Sequence, residues 1–77
     1  MVTAVFKSFK KGYYTFEFEN GEDMVFEQVH PKVLSRLKLN ENDGLIGTAF
    51  KLAYSEIYED DDDDSVIYRI EQLHIIE

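Results

Sequence analysis

Cysteine and tryptophan are absent from this 77-residue chain, proline occurs once and glycine four times. Without cysteine there is no disulfide, no thiolate zinc site and no cysteine nucleophile. Nor is there a G-x-S-x-G elbow, a glycine-rich phosphate loop or an H-E-x-x-H pair, the local patterns that announce common hydrolases, nucleotide enzymes and metalloproteases. No apolar run approaches the roughly 20 residues of a membrane-spanning helix. The opening MVTAVFKSFKKGYY does not follow a signal peptide's order of basic start, apolar middle and small-residue cleavage site. The expectation is therefore a cytoplasmic chain without a membrane segment, without a cofactor and without enzymatic activity.

What is present is aromatic and aliphatic material: six Phe, five Tyr and 44% hydrophobic residues. A chain of this length makes one small domain, residues 1–77, burying about 60–65% of the surface its unfolded form exposes. The net charge of −8 is unevenly placed. Residues 1–51 hold seven Lys/Arg and seven Asp/Glu, while residues 52–77 hold one Arg and nine acids. Six of those nine form the run Glu59-Asp60-Asp61-Asp62-Asp63-Asp64. The chain is a neutral domain carrying an acidic segment, so its overall charge says little about partners.

Strand patterns dominate. Val2 to Phe9 is rich in β-branched and aromatic residues. Tyr13 to Glu19 alternates, with Tyr14, Phe16 and Phe18 on one face, as in a half-buried strand. Asn20-Gly21 signals a turn, and Met24-Val25-Phe26 begins the return strand. A two-residue Asn-Gly loop would put Met24 and Phe26 on the face opposite Phe16, because a one-residue slip exchanges the two faces of a strand. A three-residue loop, Glu19-Asn20-Gly21, instead pairs Phe18 with Glu22, Phe16 with Met24 and Tyr14 with Phe26. It also sets Gly21 where a type I turn followed by a bulge requires a left-handed residue.

His30-Pro31 changes the pattern, since proline suits the first position of a helix. Val33, Leu34 and Leu37 share one side of the stretch from Pro31 to about Lys38, a two-turn amphipathic helix that needs docking to be stable. Leu45 to Tyr58 then reads as one long strand in which Gly47 marks a bulge. Val66 to Ile70 is a further strand. Its phase slips at Glu71-Gln72, where a second bulge restores the alternation.

The FEFENGEDMVF hairpin, the HPKVLSRLKL helix and the long GLIGTAFKLAYSEIY strand together give three strands, a short helix and two strands. This order resembles the oligonucleotide/oligosaccharide-binding (OB) barrel, a five-stranded, mainly β fold with a helix between the third and fourth strands. The resemblance lies in element order and not in a family motif. An SH3-like barrel is the alternative. The OB resemblance implies a ligand face on strands 2–3 and on the loops joining strands 1–2 and 4–5. Lys7, Lys10, Lys11 and Tyr13 fall there, a basic and aromatic group suited to single-stranded nucleic acid. The acidic run and the outward Glu17 and Glu19 repel phosphates, which makes nucleic acid the second choice. The favoured reading is a non-catalytic module that binds a protein partner.

A third reading is calcium. Asp60, Asp62 and Asp64 fit positions 1, 3 and 5 of a calcium loop, with Ile67 at 8 and Glu71 at 12, but Ser65 stands where glycine is expected. If Val66 to Ile70 is extended, Glu71 lies about 23 Å along the chain from Asp64, at about 3.3 Å per residue, and cannot fold back onto the ion. His30 is expected near the helix cap and His74 on the solvent side of the last strand, far apart in sequence, and a metal site would need more ligands than either neighbourhood supplies in a recognisable spacing.

Overall fold

Six strands form one sheet. The structure, a computed structural model, describes residues 1–58 and 66–76. The elements are β1 (Val2–Lys10), β2 (Tyr13–Phe18), β3 (Asp23–Phe26), β4 (Gln28–Val29), helix α1 (Pro31–Leu37), β5 (Ala49–Tyr58) and β6 (Val66–Ile75). Across the sheet they run β3-β2-β1-β5-β6-β4. All neighbours are antiparallel except β4, which lies parallel to β6.

The β2–β3 register follows the apolar faces. Phe16 pairs with Met24 and Tyr14 with Phe26. The Phe18 N–H donates to the Glu22 carbonyl at 2.8 Å, and the Gly21 N–H donates back to the Phe18 carbonyl at 2.9 Å. Gly21 has φ +85°, the left-handed conformation that glycine adopts without steric penalty. The β1–β2 turn is a two-residue loop, Lys11-Gly12, with φ +50° and +84°. Positive φ at both central positions is the type I′ geometry, which matches the twist of the flanking strands.

The sheet is open and has six strands, which corrects the expected closed barrel of five. The cause is a bend at Glu27. β3 ends at Phe26, and among the described residues its far side carries no ladder. The Glu27 N–H instead reaches across to the Tyr68 carbonyl at 3.1 Å, and Gln28 and Val29 then pair in parallel with Arg69 and Ile70. One short segment thus supplies both edges of the sheet, and among the described residues no strand-to-strand ladder joins those edges.

The expected long strand from Leu45 also begins later, at Ala49. Asn42 accepts the Gly44 N–H on its side chain at 3.1 Å, starting a 3-10 turn over Asp43–Leu45. Gly47, with φ +91°, turns the chain, and its N–H donates to the Phe6 carbonyl at 2.7 Å. The bulge expected near Glu71-Gln72 is present: Ala53 pairs with Gln72 and Tyr54 with Ile70, so Glu71 has no opposite residue. A second bulge falls at Lys7, between the pairs Phe6–Phe16 and Ser8–Thr15.

Phe6, Phe16, Phe26, Phe50, Leu52, Ile70 and Leu73 are almost completely buried. Phe16 sits at the centre, with ring centroids 5.2 Å from Phe6, 5.7 Å from Phe26 and 6.1 Å from Phe50. Each fully buried side chain of this size contributes about 1.5–3 kcal/mol, which is how a domain without disulfides holds together. Val33 buries the inner face of α1, with Leu34 and Leu37 packed beside it, and Leu39 is buried just beyond the helix. Lys38 ends the helix in a left-handed conformation, and its N–H donates to the Leu34 carbonyl at 2.7 Å.

Candidate functional site

Because Tyr14 and Phe16 point into the core, Tyr13, Thr15 and Glu17 stand on the outer face of β2. The pairs Thr15–Val25 and Glu17–Asp23 place Val25 and Asp23 on the same outer face of β3. Lys7, at the β1 bulge, reaches over this face. Its Nζ lies 3.4 Å from Asp23 Oδ2 and 3.9 Å from Glu17 Oε2. All three side chains are close to half exposed, so water and salt hold such a pair to about 1 kcal/mol or less. The same pairing commits the Lys7 charge to carboxylates of its own sheet.

Lys10, Lys11 and Tyr13 gather at the other end of this face. Lys10 lies opposite Tyr13, and Lys11 occupies the turn between them. Tyr13 is 47% exposed and Val25 45%. Of the four sequence-derived ligand-face residues, the structure therefore brings three together and diverts Lys7. Val25 is the residue that sequence reasoning missed. Its signal was the alternation itself, since Met24 and Phe26 face inward. Phe9, which is near the lysines in sequence, stacks on Tyr14 at 4.7 Å and belongs to the core side.

The calcium reading meets an obstacle at Glu71. Its Oε1 accepts the Ser55 hydroxyl at 2.9 Å and lies 3.2 Å from Arg69 Nε. The Arg69 contact is a charge pair set out of line for a hydrogen bond. Glu71 also lies within the extended strand β6, which runs on past the expected end at Ile70. Asp60, Asp62 and Asp64 lie outside the described residues. Among the described residues, no group of three His, Asp or Glu side chains converges as a metal site.

Two phenols are shifted. Burial pushes the Tyr14 hydroxyl above its ordinary pKa. Tyr58 donates to Glu56 Oε2 at 3.1 Å, and that hydrogen bond, with the carboxylate's charge, raises it as well.

A second concave region lies between α1 and β6. His30 caps the helix, its Nδ1 accepting the Lys32 N–H at 3.1 Å. Arg36 donates to the Leu73 carbonyl, tying the helix to the strand. His30, Lys32, Arg36, Glu71, Gln72 and His74 line a cavity of about 360 Å³ there. The two histidines, expected to be unrelated, share it. Among the described residues, no helix is long and apolar enough to cross a membrane. In comparisons with known proteins, the chain matches no family model, no curated protein and no solved structure.

Proposed function

We propose that this chain is a non-catalytic binding module with OB-like connectivity, and that it takes a protein partner on the outer face of β1, β2 and β3. The observation that carries this reading is the pair Tyr13 and Val25, 47% and 45% exposed on neighbouring strands of that face. Aromatic and aliphatic side chains raised on a sheet, with cations at the margin, are what a protein surface carrying an apolar residue and carboxylates would meet. Lys10 and Lys11 supply those cations.

OB-like connectivity is supported by the helix between the third and fourth long strands, and by β1 pairing with both β2 and β5. The carboxylates of this face stand in water, an environment for charge pairing and not for a tuned general acid. Single-stranded nucleic acid is the second reading, carried by Lys10, Lys11 and Tyr13. Glu17 and Asp23 on the same strands, and Glu27 at the bend after β3, oppose it, because they repel a run of phosphates.

Selection of peptides from a displayed library on the folded protein tests the assignment. The expected result is enrichment of sequences with an apolar anchor and acidic flanks, whose binding is lost in Tyr13→Ser and Val25→Ser. Peptides indifferent to both substitutions would overturn the surface. Micromolar binding of a single-stranded oligonucleotide with a steep salt dependence would replace the protein partner with nucleic acid.

A further inference from the structure

We propose that the cavity between α1 and β6 is a binding site for a small phosphate-class anion, inorganic phosphate or a small phosphate monoester. Its walls carry more donors than acceptors. Lys32 and Arg36 bring two permanent positive charges from the helix, and Gln72 and His74 face them from the strand. Arg36 uses part of its guanidinium on the Leu73 carbonyl, and a guanidinium has five N–H donors in all. His30 accepts the Lys32 N–H on Nδ1, so in its neutral form the ring proton sits on Nε2, which then acts as a donor.

Among the described residues, the one acid in the wall is Glu71, and one of its oxygens is engaged from the sheet. Ser55 donates to Oε1 and the Arg69 guanidinium lies against the same oxygen. A concentration of positive side chains stands out in a chain of net charge −8. Arg and Lys bind phosphate by charge-assisted hydrogen bonds, which are about twice as strong as neutral ones. At about 360 Å³ the cavity has room for more than one phosphate group's worth of atoms, which admits a monoester with a short organic arm. The site uses none of the residues assigned to the protein-binding face and does not depend on that assignment.

The test is a two-dimensional NMR titration of the whole protein with sodium phosphate and with glycerol 3-phosphate, against sodium acetate at matched ionic strength. The expected result is saturable shifts of the Lys32, Val33, Leu73 and His74 amides with both phosphates at millimolar concentration. Lys32→Gln combined with His74→Gln should weaken binding at least about tenfold, as the loss of charge-assisted contacts requires. Lys10→Gln combined with Lys11→Gln should leave it unchanged, and well-dispersed spectra establish that each variant is folded. Lys32→Gln alone gives a second reading of the same loss with less disturbance of the strand. Shifts that never saturate, an equal response to acetate, or equal losses in the two double variants would each overturn the site.

Discussion

Phe16 lies opposite Met24 across the β2–β3 hairpin, one residue out from the register a two-residue Asn-Gly turn would give. The pairing depends on Gly21, whose φ of +85° closes the three-residue loop. A methyl group added there would meet no heavy atom within 4 Å, so the cost of Gly21→Ala is purely one of backbone conformation. It should be about 1 kcal/mol, which lowers the Tm of a domain this size by roughly 4–8 °C. Thermal melts of the parent and Gly21→Ala check this, and an unchanged Tm would remove the argument.

Lys38 presents the inverse case. It ends α1 with φ +52° and ψ +50°, a conformation in which a side chain is strained. Its backbone N–H already caps the Leu34 carbonyl, and glycine keeps that bond. Lys38→Gly should therefore stabilise the fold by about 0.5–1 kcal/mol, the relief of left-handed strain less glycine's added freedom when unfolded. Urea unfolding should show a higher midpoint with an unchanged slope.

Tyr14 makes stability depend on alkaline pH. Burial raises its phenol above the ordinary value of 10.0, so the folded state holds the proton more tightly than the unfolded state does. That preference contributes fully below pH 10 and is lost as the pH climbs through the raised folded value. Tm should fall between pH 9.5 and the most alkaline conditions that leave the chain intact. Tyr14→Phe, which cannot ionise, should flatten the fall, and equal slopes in the two proteins would contradict the assignment. Tyr58 shifts in the same direction but lies on the surface against Glu56, so Tyr58→Phe should leave the slope nearly unaltered.

Tyr58 pairs with Val66, and Ile57 with Ile67, on the two sides of the acidic run. Replacing Glu59 to Asp64 by Asn-Gly changes the net charge from −8 to −2, removing six acids. The flanking pairs should keep β5 and β6 together by side-chain contact. Stability should hold or rise, most visibly at low salt, where like charges are least screened. Millimolar calcium should raise the parent's Tm only slightly, since a weak site stabilises little near its own dissociation constant. A large calcium shift abolished by both Asp62→Ala and Glu71→Gln would restore the calcium reading and require Glu71 to leave Ser55 and Arg69.

Phe16 tests the core directly. It is fully buried against Phe6, Phe26 and Phe50, and Phe16→Ala should cost about 3–5 kcal/mol through lost burial and the cavity left behind. In a domain of this length that is a large share of the total stability. Loss of the near-ultraviolet dichroism at room temperature is the expected readout.

Much of this molecule was written in short stretches of chain. The faces of β2 and β3, their register, the position of α1 behind His30-Pro31 and the bulge at Glu71 follow from period-two alternation, one glycine and one proline. Such features depend on neighbours within a few residues, and those neighbours are visible in order along the sequence. Other features depend on residues that meet only after folding. At the bend at Glu27 the chain leaves β3 and meets the Tyr68 carbonyl, and the sheet is an open one of six strands where a closed barrel of five was expected. Lys7 read as a free cation until Asp23 and Glu17 arrived beside it on the adjoining strands. Leu39 follows the helix in sequence with no periodic partner, yet is buried in the core. His30 and His74 stand far apart in the chain and line one cavity because Val29 is laid against Ile70. Local periodicity fixes which way a side chain faces; what it faces is set by long-range pairing, whose energy comes from joint burial of segments that carry no mark of each other.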